Sequence, residues 1–343
     1  MRSHLALIDA LPAVGAETTR GDVGATAAAR SAGIAAIAMA TPSGVVDNAT
    51  IAARHDLGEG WIESRTGIAE RRHAVAGERL VDVAATAASR ALRRARIAPA
   101  EIELVVVATT TPDDVLPNAA PLVAHALDIP AAGAFDLGAA CTGFVTALAT
   151  AAGLVESRRC ETALVVGADL MSRVVDPGDR DTSVLFGDGA GAAVVTAAPG
   201  HGRIGPSVLR SDGAAAELVS IPRASGTVRM DGQETFRRAV ACLAEASAEA
   251  AELAGVALAD VDLFVFHQAN GRILRAVGER LGLERDRVVD CIGRYGNTSA
   301  ATVPIALCEA GAEGRLFPGA RVLVGAFGAG LTWGATVVEW GSA

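Results

Sequence analysis

Apolar positions in this chain fall into two kinds of run. Short β-branched or aromatic runs, such as Leu104-Val105-Val106-Val107 and Leu263-Phe264-Val265-Phe266, are bounded by polar and turn residues and predict buried strands. Longer stretches over residues 80–94 and 236–254 place apolar residues at helical spacing with charges between them, which predicts helices buried along one stripe. The two kinds recur in the same order. Sliding the chain against itself by 159 residues sets Ile97-Ala98-Pro99-Ala100-Glu101-Ile102 on Val256-Ala257-Leu258-Ala259-Asp260-Val261, then Cys141 on Ala300, Leu148 on Leu307 and Leu164-Val165 on Leu323-Val324. After an extra loop in the first half, Ala192-Ala193-Val194-Val195 falls opposite Ala335-Thr336-Val337-Val338. One unit has been used twice. Alternating strands and helices imply βαβ units, helices covering a mostly parallel sheet, and two such halves stack as five layers, α-β-α-β-α. The expected division is 33–204 for the first half and 205–343 for the second.

Composition narrows the function classes. The chain has 343 residues, half of them apolar, yet no uninterrupted apolar run reaches the roughly 20 residues of a membrane span, so no membrane role is expected. A net charge of −9 argues against nucleic acid as a partner. The five cysteines include no Cys-x-x-Cys pair and no metal-ligand spacing with histidine, which fits a reducing cytoplasm and no bound metal. Residues 1–32 are rich in alanine and polar residues. Asp9 interrupts the short apolar stretch after Arg2 that would suggest a leader, and a poorly ordered extension is expected.

The line Phe135-Asp136-Leu137-Gly138-Ala139-Ala140-Cys141-Thr142-Gly143-Phe144 sets Cys141 where a strand gives way to a helix. A helix N-terminus presents unpaired N–H groups and partial positive charge, so a thiol there is expected to shift toward thiolate, the form that attacks carbonyl carbon. Taken alone, such a cysteine is more often a small buried hydrophobe. Two later segments add an imidazole and a carboxamide: Phe266-His267-Gln268-Ala269-Asn270 and Tyr295-Gly296-Asn297-Thr298-Ser299-Ala300.

Together, Cys141, His267 and Asn297 resemble the Cys-His-Asn set of β-ketoacyl-acyl carrier protein synthase III. The resemblance runs over residues 33–340 and includes Trp61-Ile62-Glu63-Ser64-Arg65-Thr66-Gly67-Ile68, Phe186-Gly187-Asp188-Gly189-Ala190-Gly191-Ala192 and Phe327-Gly328-Ala329-Gly330-Leu331-Thr332-Trp333-Gly334. It implies the thiolase fold, in the α/β class, and a homodimer joined near residues 109–122. It also implies a decarboxylative condensation of an acyl-CoA starter with malonyl-acyl carrier protein, with no cofactor besides the substrates. Cys141 would carry the acyl group, and the backbone amides of Cys141 and Ala329 would hold the oxyanion. Relatives often have glycine where Ala329 stands. His267 and Asn297 would donate to the enolate oxygen as CO2 leaves, with Phe186 giving an apolar wall.

By the same resemblance, Trp61 would stack on adenine with Arg180 on its other side, and Arg65 would meet a phosphate. Gln233, where asparagine is common, and Asn270 would line the pantetheine tunnel, whose mouth is opened by a shortened stretch over 220–230. Leu116 would reach across the dimer to cap the partner's acyl pocket, where a larger aromatic restricts starters to short chains. Arg237, Arg238, Arg272, Arg275 and Arg280 group near the tunnel and would bind an acidic carrier protein. A thiolase would need a second active-site cysteine, and none of the other four has a glycine-rich setting. A related acyltransferase or condensing enzyme using another acceptor is the alternative.

Overall fold

Two segments that are apolar on every side, Gly143–Glu156 and Thr302–Ala312, fold as helices buried between two sheets. A helix without a polar face must be covered all round, which makes this pair the middle layer. The computed structural model describes residues 30–341 apart from 198, 199 and 201. The extension expected over 1–32 therefore lies, up to residue 29, outside the described residues. Residues 31–343 cluster as one unit.

The strands in chain order are β1 (Gly33–Ala40), β2 (Gly44–Asp47), β3 (Glu70–His73), β4 (Leu104–Ala108), β5 (Gly133–Leu137), β6 (Thr162–Leu170) and β7 (Asp188–Thr196). There follow β8 (Gly202–Ser211), β9 (Val219–Ser220), β10 (Arg229–Met230), β11 (Leu263–Phe266), β12 (Arg321–Gly328) and β13 (Thr332–Trp340). The α-helices are α1 (Asn48–His55), α2 (Trp61–Thr66), α3 (Leu80–Ala95), α4 (Ala119–Ala126) and α5 (Gly143–Glu156). The second set is α6 (Arg180–Ser183), α7 (Gly232–Leu253), α8 (Gly271–Leu281), α9 (Ile292–Tyr295) and α10 (Thr302–Ala312).

The first large sheet is ordered β1-β7-β6-β4-β5 and the second β8-β13-β12-β11. Position for position the second repeats the first, and a single parallel bridge between Phe264 and Val288 stands where a counterpart of β5 would pair. The chain passes between the sheets after Thr196, so a boundary at 204/205 cuts inside β8. Helices α3 and α4 cover the outer face of the first sheet and α7 and α8 that of the second. With α5 and α10 between the sheets, these are the five layers of the thiolase fold.

The expectation of mostly parallel sheets is corrected. Strands β4, β5 and β6 pair in parallel, as do β11 and β12, but β7 runs antiparallel to both β1 and β6, and β13 to both β8 and β12. The link from Gly328 to Thr332 is too short for a crossover helix, so β12 and β13 can only form a hairpin.

Candidate active site

Cys141 sits in a single 3₁₀ turn, Ala140–Thr142, between β5 and α5. Ala140 takes φ 46°, a left-handed angle that turns the chain sharply into the helix. All five cysteines lie in described segments. Cys141 alone is half-buried and the other four are buried, so only its sulfur can meet a substrate. The end of β12 lies against it. A Cβ on Gly328 would stand 2.8 Å from the Cys141 nitrogen and 3.1 Å from its Cβ, so this close approach requires glycine. Ala329 follows without a positive φ, and Gly330 takes the unusual angle of 136° instead. Alanine therefore fits at 329 without backbone strain.

His267 emerges from the end of β11. Its N–H donates to Gly325 O at 2.8 Å, and its ring Nδ1 lies 2.6 Å from Thr302 Oγ1. The next residue, buried Gln268, donates to Phe266 O at 2.8 Å and Val289 O at 3.1 Å and accepts the Cys291 N–H at 3.0 Å. A carboxamide tied at three points fixes the strand end that carries the imidazole.

Asn297 is held by main-chain bonds on both sides: its N–H donates to Leu185 O at 2.9 Å and its C=O accepts from Gly187 N–H at 3.0 Å. That ladder places Phe186 directly beside it. The Asn297 Oδ1 accepts the Ser299 N–H at 2.9 Å, which leaves its NH2 without a hydrogen-bond partner among the described residues. Beneath this ladder the fully buried Arg71 donates to Asn48 Oδ1 at 2.9 Å and Val184 O at 2.8 Å, and burial lowers its guanidinium to about 10.

Burial pushes the Cys141 thiol up to about 12. A hydrogen bond to Ser299 Oγ at 3.5 Å pulls down and the nearby Asp169 carboxylate pushes up. The expected shift toward thiolate is thus reversed: desolvation of the sulfur outweighs the favourable charge at a helix start. Burial also depresses His267, to about 3, so imidazole and thiol are both neutral at rest.

One cavity of about 630 Å³ joins these groups. Its lining includes Cys141, Phe186, His267, Asn297 and Ala329 together with Trp61, Arg65, Gln233 and Asn270. The Arg65 guanidinium lies 4.3 Å from the Trp61 ring centroid and that of Arg180 lies 5.5 Å from it. Arg180 also pairs with Asp181 at 2.8 Å, and it is Asp181 that lines the cavity. Asn270 caps α8 by accepting the Arg272 N–H at 2.8 Å, which leaves its NH2 uncommitted. Leu116 is 77% exposed and lies outside this chain's cavity.

The five grouped arginines are all exposed, but they are not equivalent. Arg237 pairs with Glu234 at 3.1 Å, and Arg238 lies 3.4 Å from Glu234 and 3.8 Å from Asp212, which weakens both as anion sites. Among the described residues Arg272, Arg275 and Arg280 of α8 have no such partner; of the five, only Arg237 and Arg272 reach the cavity wall. Acidic neighbours one helical turn away escape a count of arginines.

Known proteins resemble this chain along most of its length. The family profile described as "3-Oxoacyl-[acyl-carrier-protein (ACP)] synthase III" matches residues 135–213, and the corresponding "C terminal" profile matches 251–340. A "Beta-ketoacyl-[acyl-carrier-protein] synthase III 2" of Streptomyces coelicolor is 45% identical over 90% of this chain and 94% of its own length. The chain belongs to the β-ketoacyl-acyl carrier protein synthase III family. The solved synthase III of Aquifex aeolicus superposes with a TM-score of 0.88 at 40% identity, over 90% of this chain and 100% of that one. A "Priming beta-Ketosynthase from the R1128 Polyketide Biosynthetic Pathway" gives 0.86 at 38% identity, over 93% and 99% of the two chains.

Within this synthase III site, sequence reasoning missed Ser299, Thr302, Gln268 and Asp169. The buried Asp169 accepts from Thr109, Thr110 and Thr111 through Oδ1 and from Ala300 N–H at 3.1 Å through Oδ2. Its available signal was a run of three threonines just after β4 and an aspartate near the end of β6.

Proposed function

We propose that Cys141 is acylated by an acyl-CoA and then condensed with a malonyl group carried by acyl carrier protein. The thiol sulfur bonds to the acyl carbon, the carbon–sulfur bond to CoA breaks, and the thiol proton ends on the CoA sulfur. The malonyl thioester then loses CO2, and its enolate oxygen is held by His267 and the Asn297 NH2. Its carbon attacks the acyl-Cys141 carbonyl and the carbon–sulfur bond to Cys141 breaks, giving 3-oxoacyl-carrier protein and a Cys141 thiolate that takes up a proton from water. The amides of Cys141 and Ala329 hold the oxyanion in both acyl transfers. The observation that carries this reading is the half-buried cysteine sharing one cavity with an imidazole and a free carboxamide NH2.

The Trp61 ring with Arg65 and Arg180 supports a CoA nucleotide site at the mouth, and Arg272, Arg275 and Arg280, without an acidic partner among the described residues, support docking of an acidic carrier protein. No cofactor is required by these steps. A homodimer is supported by β5, an edge strand exposing Phe135, and by the adjoining loop where Val115 is 82% exposed. The exposure of Leu116 on that loop supports a role for it as a cap on a partner's acyl pocket. Among the described residues no helix is long and apolar enough to cross a membrane, and a cytoplasmic setting fits the free thiols.

The test supplies acetyl-, isobutyryl- and hexanoyl-CoA with malonyl-carrier protein and measures 3-oxoacyl product by mass spectrometry. Product with the longer or branched starters, shifted toward acetyl in Leu116→Phe by the roughly 1–3 kcal/mol that a methylene or two contributes, is expected. Absence of product with every starter would overturn the assignment. Fatty acid and polyketide initiation share this chemistry.

A further inference from the structure

His267 can serve an enolate oxygen only if its cavity-facing nitrogen carries a proton, and a neutral ring carries one proton on either nitrogen. Thr302 touches the other nitrogen. Its Oγ1 lies 2.6 Å from His267 Nδ1 and 3.1 Å from Ser299 O. A hydroxyl has one proton and must choose between them. Ser299 O already accepts the Thr302 main-chain N–H, which closes the short turn Ser299–Ala301, so the hydroxyl proton is not needed there. Nδ1 has no other hydrogen-bond partner among the described residues. A separation of 2.6 Å also lies below the usual range for a ring N–H donating to a hydroxyl oxygen.

We propose that Thr302 is a positioning residue that donates its hydroxyl proton to His267 Nδ1, fixing the tautomer whose Nε2–H points at the reacting thioester. No bond to substrate is involved, and the ring stays neutral throughout. Thr302 is 2% exposed and is the first residue of α10, so the helix that buries it also sets the hydroxyl's position. In this tautomer Nε2 has no free lone pair, so His267 stabilises the enolate and does not receive the Cys141 proton. The inference rests on His267 acting at the enolate oxygen.

The test uses ring nitrogens labelled with 15N in full-length protein at neutral pH, with Thr302→Val removing the hydroxyl at nearly constant shape and Thr302→Ser restoring it. Wild type and Thr302→Ser should show Nε2 protonated and Nδ1 bare, and Thr302→Val should lose that preference. CO2 release from the malonyl thioester should fall about tenfold or more in Thr302→Val, short of the hundredfold or more expected when a charge-stabilising donor is removed outright. KM and acylation of Cys141 should be unchanged. A proton on Nδ1 in wild type, or unchanged CO2 release in a folded Thr302→Val, would overturn the proposal. So would equal loss of acylation and CO2 release in Thr302→Val, the signature of a merely structural role. If wild type releases no CO2 yet shows bare Nδ1, the reading of the reaction fails while the tautomer assignment stands.

Discussion

The two halves bend their chains at matching corners, Ala140–Thr142 before α5 and Ser299–Ala301 before α10. Ala140 at φ 46° and Ser299 at φ 52° are equivalent under the repeat, so the backbone device is the same in both. The difference lies in what meets the amide at each corner. In the second half the Ala300 N–H is filled by Asp169 Oδ2 at 3.1 Å. The repeat partner of Asp169 is Gly328, which abuts the Cys141 amide with no side chain to offer it. One corner is plugged and structural, and its twin is left open, as the proposed oxyanion role requires. Duplication supplied the turn, and a single aspartate-to-glycine difference separates the two uses.

The comparison can be broken most severely at the sulfur. Cys141→Ala should abolish acyl-adduct formation, read by intact-protein mass spectrometry, because the remaining cysteines are buried. Filling the open corner comes next. Gly328→Ala places a Cβ against the Cys141 nitrogen and should slow both acylation and condensation by on the order of a hundredfold. Rates of the two steps that respond differently would show that this amide does not serve both. His267→Ala or Asn297→Ala should reduce CO2 release by on the order of a hundredfold or more while acylation proceeds. Separate assays of adduct and CO2 check that division.

Smaller effects follow from the neutral resting pair. Since the thiol lies near 12, alkylation of Cys141 by iodoacetamide should climb about tenfold per pH unit through the neutral range, and a plateau near pH 7 would show a thiolate at rest. The His267 shift has the opposite sign. Held near 3, its ring stays neutral in the folded state while the unfolded chain takes up a proton below its ordinary value near 6.5. Its contribution to stability is therefore full above about pH 6.5 and is lost as pH falls toward 3. Urea titrations across that window should show a shallower acid-side decline in His267→Ala.

Much of this was legible in the sequence because duplication leaves a signal that local propensity lacks. The offset that aligned Cys141 with Ala300 also aligned β4 with β11, β6 with β12, both central helices and both corners, and β7 met β13 only after the extra loop of the first half. Cys141, His267 and Asn297 were legible as a set through their resemblance to the family's Cys-His-Asn segments, and the structure brings all three to one cavity. Strand direction was not, since β7 and β13 read as apolar runs whichever way they lie. Nor was the thiol's direction of shift, which depends on how far desolvation outweighs the helix field. Thr302 and Asp169 escaped because a threonine entering an apolar helix and an aspartate ending a strand look like caps until their partners from other segments are known. The arginine group was legible as a group, while the neutralisation of Arg237 and Arg238 required the fold of α7.

The crossed contacts at the two corners bear on how such a protein can be recombined. Cys141 rests against a glycine from the second half, and Ala300 rests against Asp169 and Gly167 from the first, where a Cβ would meet the Ala300 oxygen at 2.4 Å. Each half thus carries part of the other's mould. A chimera that joins the first half of one homologue to the second half of another inherits a working corner only if both crossing residues come along with their targets. Productive breakpoints should therefore preserve the pairs 169 with 300 and 328 with 141, wherever else the parental sequences diverge.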